Sequence, residues 1–172
     1  MGGAEAMKRF LTMTLLPMLL MGAITSAWSY DADMAASYER LFSGVSGAEA
    51  GKALHFMSPE AFVEKLKKGE SPVAVDIRTP AETDLLSLSL AGSLTIPTDQ
   101  VFAAENLARL PTDKPVVIVC KSGARAAAVG TALRHIGFDN VYILKGGFQA
   151  LAAYYGPGEA YGSAAPGSDS KE

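Results

Sequence analysis

Four consecutive β-branched residues, Val116-Val117-Ile118-Val119, constrain this chain more than any other stretch. An uninterrupted run of this kind reads as a strand buried on both faces, the pattern of a parallel sheet covered by helices. The run passes directly into Cys120-Lys121-Ser122-Gly123-Ala124-Arg125, and a helical stretch from Ala124 to Ile136 follows, ended by Gly137. Strand, short loop and helix therefore meet at the cysteine.

The segments on either side repeat the alternation. Leu54 to Met57, Val73 to Asp76, Leu94 to Ile96 and Val141 to Leu144 read as further strands. Ser58-Pro59-Glu60 is a helix start, with a capping hydroxyl, proline at the first helical position and an acid at the positive end. Phe62, Val63 and Leu66 supply its apolar stripe, and Gly69 stops it. Further helices are expected over Pro80 to Leu86, over Asp99 to Leu110 with Val101, Phe102, Leu107 and Leu110 facing the core, and from Gly146-Gly147 to about Tyr155. Strands alternating with helices predict an α/β fold: a three-layer, open, mostly parallel five-stranded sheet with helices on both faces.

The domain would occupy residues 54–156 of the 172. Ahead of it, residues 28–53 read as a short helix and a linker: Asp33 can cap a helix carrying Met34, Tyr38, Leu41 and Phe42 on one face, and Ser43 to Gly51 is rich in Gly, Ser and Ala. Residues 1–27 have the three parts of a secretory signal peptide. Met7-Lys8-Arg9 is basic, Phe10 to Ala27 carries no charge, and Thr25-Ser26-Ala27 ends in small residues. Cleavage would start the mature protein near Trp28 and place it outside the cytoplasm, in the periplasm; the alternative is an uncleaved membrane anchor. Residues 157–172 turn to Gly, Ser, Ala, Pro and charge and read as a disordered tail.

Composition narrows the chemistry. Hydrophobic residues make up 49% and charged residues 19%, so a folded core is expected. The net charge of −3 argues against a nucleic-acid surface. With one cysteine and two histidines, an internal disulfide is impossible, and nothing implies a metal or an organic cofactor. A lone cysteine is either an inert core residue or a reactive thiol. Here it stands at the carboxyl end of a buried parallel strand, where ligands of open α/β sheets bind. It also stands at a helix N-terminus, where free N–H groups and the macrodipole favour an anion. Both favour a thiolate over a thiol. Ser122, Gly123 and Ala124 are small enough to let the loop curl and its amides converge, while Lys121 and Arg125 add positive charge. Of the histidines, His135 lies ten residues beyond Arg125, about 15 Å along the helix at 1.5 Å per residue, and His55 precedes the first helix of the domain. Neither forms a dyad with Cys120.

A set of landmarks then resembles one family. Val75-Asp76-Ile77-Arg78 with Glu82, Gly92-Ser93-Leu94-Thr95-Ile96-Pro97, Cys120 to Arg125, Gly137-Phe138 with Val141-Tyr142, and Gly146-Gly147 are similar in order and spacing to a rhodanese domain. Such a likeness implies a sulfurtransferase of the thiosulfate type. Cys120 would attack a small anionic sulfur donor and keep its outer sulfur as a persulfide, and a thiol or cyanide, or a protein acceptor, would take that sulfur. It also implies that Arg125 closes the loop, that Lys121 favours anionic donors, and that Asp76 and Arg78 form a structural pair beside it. The sequence departs from the family at Leu88-Ser89-Leu90, at Ala126 and at Leu151. Two other readings compete. Phosphatases of related fold hold an oxyanion in a loop with five residues between Cys and Arg, whereas four separate Cys120 from Arg125. A rhodanese-like domain can also be a sulfur carrier or partner-binding module without turnover.

Overall fold

A computed structural model describes residues 30–156; the expected signal segment and tail lie outside them. Five strands, β1 (Phe56–Met57), β2 (Val73–Asp76), β3 (Leu94–Thr95), β4 (Val116–Val119) and β5 (Val141–Leu144), form one sheet in the order β1-β5-β4-β2-β3, and every pairing is parallel. The helices are α1 (Ala32–Phe42), α2 (Glu49–Ala53), α3 (Pro59–Lys67), α4 (Pro80–Leu85), α5 (Ala104–Leu107), α6 (Ala124–His135) and α7 (Gly147–Tyr154). The expected α/β sheet covered on both sides is what forms.

Period-two alternation sorts the central strands between two cores. Val73, Val75, Val116, Ile118, Val141 and Ile143 face α6, with Val129 and Leu133 packed on them. Ala74, Val117, Val119 and Leu144 face the other way, onto Phe62 and Val63 of α3 and Leu151 of α7. Gly130 lets α6 lie close to the sheet, because a Cβ there would stand 2.7 Å from the Ile143 side chain. Cys120 continues the alternation of Val116 and Ile118, so its side chain belongs to the α6 side. That register directs the sulfur beneath the first turn of α6.

Several local expectations give way to the structure. The cap of α1 is Asp31, whose carboxylate accepts the Met34 amide, and Asp33 falls inside the first turn. Residues 49–53 of the expected linker are helical. The first strand is shorter than Leu54 to Met57, since His55 adopts φ 49°, a left-handed conformation that interrupts extension. The helix expected over Asp99 to Leu110 is broken into a 3-10 turn (Thr98–Gln100) and α5, with Ala103 extended between them. Asn106 contributes: it is buried, and its side-chain amide donates to the Gln100 carbonyl at 2.9 Å, a local bond that competes with a continuous helix. Val101 is buried there, but Phe102 faces outward.

Both histidines are structural. His55 Nδ1 lies 3.2 Å from the Val141 carbonyl oxygen and its ring stacks on Tyr142. His135 at the end of α6 holds α1: its Nε2 lies 2.9 Å from Ser37 Oγ, and its ring stacks on Tyr38 at 4.3 Å.

Candidate active site

Cys120 follows β4, and α6 begins four residues later. Its side chain is buried, at 1% exposure, yet its sulfur is not sealed among aliphatic groups alone. The Gly123 amide donates to Sγ at 3.2 Å and the Ala126 amide at 3.4 Å. Gly123 makes this possible with φ 94°, which turns the chain back over the sulfur and is open chiefly to glycine. No side chain caps α6 at Gly123, so the sulfur itself accepts one of the amides a helix start leaves free.

The loop is held from outside by α7. Phe148 donates its amide to the Cys120 carbonyl at 2.7 Å, and Gln149 donates to the Lys121 carbonyl at 3.1 Å. Both carbonyls are thereby drawn toward α7 and away from the sulfur. Gly147 allows this approach: a Cβ on it would stand 2.3 Å from the Cys120 carbonyl oxygen and 2.7 Å from the Gly123 nitrogen, and its φ is 61°. The paired glycines at 146 and 147 stood out in the sequence as a landmark, but their contact with the cysteine loop is a tertiary fact.

The hydrogen bonds of Arg125 go to a carboxylate rather than to the sulfur. Its guanidinium grips Glu82 in two hydrogen bonds, 2.9 Å to Oε2 and 2.7 Å to Oε1. Glu82 is itself fixed by a capping box at the start of α4, where Thr79 Oγ1 accepts the Glu82 amide and Glu82 Oε2 accepts the Thr79 amide. The Arg125 bonds, followed by the Thr79 amide, hold the Glu82 carboxyl down at about 2. Glu82 in turn raises Arg125 above the ordinary guanidinium value. The sequence shows the signal for this arrangement in Thr79-Pro80-Ala81-Glu82, although its partner lies 43 positions away.

Asp76 and Arg78 form a buried pair at the end of β2. Arg78 NH2 donates to Asp76 Oδ2 at 2.7 Å, and Arg78 Nε to Oδ1 at 3.0 Å; the two side chains are 1% and 4% exposed. Arg78 also donates to the Leu86 carbonyl at 2.6 Å and lies over the Phe148 ring at 3.9 Å from its centroid. It thus ties together the segment after α4, the ring beside the cysteine loop and, through Asp76, the strand paired with β4. Lys121 and Ser122 are exposed at the loop's outer side, and Lys121 makes no side-chain hydrogen bond or ion pair within the described residues. An open groove of about 470 Å³ lies over this shoulder, lined by Arg78, Glu82, Leu85, Leu86, Lys121 and Phe148 among others.

A covered parallel sheet that presents a lone thiol to the free amides of a helix start defines an α/β domain built around one cysteine loop. The chain belongs to the rhodanese-like domain family, whose model matches residues 58–154. Over 122 residues it is 32% identical to MoeZ of Mycobacterium tuberculosis, described as a probable adenylyltransferase/sulfurtransferase; the match covers 70% of this chain but 30% of that longer protein. Over 106 residues it is 32% identical to the thiosulfate sulfurtransferase GlpE of Pseudomonas putida, covering 62% of this chain and 92% of the relative. Among solved structures, a protein of unknown function from Rhodopseudomonas palustris, described as a possible tyrosine phosphatase, superposes with a TM-score of 0.52 at 26% identity, covering 63% of this chain and 87% of the other. The rhodanese-like domain of an Anabaena protein superposes with a TM-score of 0.51 at 19% identity over 69% of this chain and 90% of the other, a likeness of fold.

Proposed function

We propose that this protein is a sulfurtransferase that moves sulfane sulfur from a donor such as thiosulfate to a thiol or cyanide acceptor through a persulfide on Cys120. The observation that carries this reading is the pair of backbone amides, from Gly123 and Ala126, that converge on Sγ. Amides so placed stabilise negative charge on sulfur before and after the transfer. In the first half-reaction the Cys120 thiolate attacks the outer sulfur of thiosulfate; the bond to the inner sulfur breaks, and its electron pair leaves with sulfite. In the second, an acceptor nucleophile attacks the outer sulfur of the persulfide, and the electron pair of the broken S–S bond returns to Cys120. The naming of GlpE as a thiosulfate sulfurtransferase supports the donor.

The phosphatase reading is favoured by the description of the Rhodopseudomonas protein. Against it stand the four-residue spacing between Cys120 and Arg125 and the pairing of the Nη1–Nη2 edge of Arg125 with Glu82, which takes that edge of the guanidinium from a tetrahedral oxyanion. Intact-mass measurement after thiosulfate treatment is expected to reveal the gain of one sulfur atom. Thiosulfate:cyanide transfer is expected to drop to background in Cys120→Ala. A stable adduct with no turnover would instead indicate a carrier, and Cys120-dependent hydrolysis of an aryl phosphate without any adduct would reverse the assignment. We further propose periplasmic export through residues 1–27; the N-terminal sequence of the protein recovered from a periplasmic extract tests it, with a start near Trp28 expected.

A further inference from the structure

At the far end of α6 from the cysteine loop, α1 meets the domain around an open cavity of about 410 Å³. Three large apolar side chains line it and stay open to water: Met34 is 55% exposed, Phe102 44% and Ile136 53%. They come from three separate segments, so this is a gathered apolar patch and not one stray residue. Phe102 was expected to face the core, and Met34 heads the apolar stripe of α1. Ala132 of α6 adds only a methyl group to the lining. The walls are held in place. His135 fixes α1 through Ser37 and the Tyr38 ring, and the Asp31 carboxylate caps α1 at the Met34 amide. A preformed apolar surface of this kind is stabilised by an apolar occupant.

The chain itself brings one to the rim. Tyr30 is the first described residue, and Asp31 lines the cavity. Trp28 stands three positions before Asp31, within roughly 10 Å along an extended backbone. Among residues 25–29 it alone has a large apolar side chain, and it is the single tryptophan of the protein. A buried indole removes about 150–250 Å² from water and needs an acceptor for its N–H. Asp33 at the rim makes no side-chain hydrogen bond or ion pair among the described residues, so its carboxylate is available. We propose that this cavity is the seat of Trp28, whose indole packs on Met34, Phe102 and Ile136 and donates its N–H to Asp33. The residues ahead of α1 are thereby latched to the domain, and α1 is clamped by Trp28 as well as by His135. The expected cleavage before Trp28 keeps this residue, so the latch is independent of both sulfur transfer and export.

With one tryptophan in the chain, fluorescence reads this site alone. In the full chain, Trp28 is expected to emit at shorter wavelength than free N-acetyltryptophanamide, and acrylamide is expected to quench it severalfold more slowly. Phe102→Ser and Ile136→Ser each remove one wall at an exposed position. Each is expected to return emission and quenching most of the way to the free indole. Release in one variant suffices if the other fails to fold, as judged by circular dichroism. Trp28→Ala is expected to speed amide hydrogen exchange in α1 severalfold while leaving β4 unchanged, and this comparison decides alone if neither wall variant folds. Free-indole quenching in the wild type would overturn the proposal, as would shielding that persists in the folded wall variants or unchanged α1 exchange in Trp28→Ala. Shielding that vanishes on dilution would also overturn it, by placing a second copy of the chain in the cavity.

Discussion

β2 and β4 are neighbours in the sheet; β2 ends in Asp76 and β4 runs directly into Cys120, and a short loop and a helix follow each. The two ends are finished in opposite ways. After β2, the Asp76 carboxylate is saturated by Arg78, and α4 is closed by the Thr79 hydroxyl and the Glu82 carboxylate in a capping box. Every strong group there is spoken for within ten residues. After β4, Gly123 offers α6 no side-chain cap, and the Gly123 and Ala126 amides meet the Cys120 sulfur. A helix start that is closed by its own side chains is a joint; one left open around a thiol is a place for an anion. The Glu82–Arg125 pair connects the two, so the closed end braces the open one.

Asp76→Asn attacks the closed end and is expected to have the largest effect on stability. It leaves the buried Arg78 guanidinium without its counter-charge, a loss of about 3–5 kcal/mol in chemical denaturation, and releases Leu86 and Phe148 along with it. Gly147→Ala attacks the open end. With a Cβ 2.3 Å from the Cys120 carbonyl oxygen and a left-handed φ, it is expected to lower stability by roughly 2–4 kcal/mol and to reduce sulfur loading more than Gly92→Ala does. Gly92 has a comparable φ of 76° but nothing within 4 Å of its Cβ position, so its cost is the backbone term of about 1–2 kcal/mol. Equal loading in the two variants would mean that α7 does not shape the loop.

Cutting the brace with Glu82→Gln is the mildest change, about 1 kcal/mol or less at neutral pH because both side chains are partly exposed. Its signature lies in acid. The folded-state carboxyl sits at about 2, below its ordinary value of 4.5. The contribution of Glu82 is therefore fully present above about 4.5 and is lost as pH falls toward about 2. The stability gap between wild type and Glu82→Gln should shrink across that window; a gap that widens in acid would show that Glu82 is not the braced anion.

What the sequence made legible follows from how local each cause is. The central strands at 73–76, 116–119 and 141–144 match their expected bounds because burial on both faces demands continuous apolar residues. The cysteine loop was legible for the same reason, since strand end, small residues and helix start are contiguous. Misplacements arose where two local choices were nearly equal, as with Asp31 and Asp33 before α1, or where one side chain decided the matter, as Asn106 does for the segment before β4. The links between Gly147 and Cys120, between Glu82 and Arg125, and between Arg78 and Leu86 join residues distant in the chain or irregular in backbone. Periodicity has no access to them. Lys121 and Arg125 were expected to differ in role, Arg125 closing the loop and Lys121 favouring anionic donors, but the carboxylate that holds Arg125 comes from α4 and was not legible.

The grip of α7 on the carbonyls of Cys120 and Lys121 bears on how such a protein is made. A growing chain halted after Leu144 would already contain Cys120, Arg125, Asp76 and Arg78, yet the peptide planes around the thiol would lack the two amides that orient them. On the proposed sulfur-transfer reading, competence at the sulfur arrives with α7, so every requirement for the chemistry but its geometry is met before that helix is made.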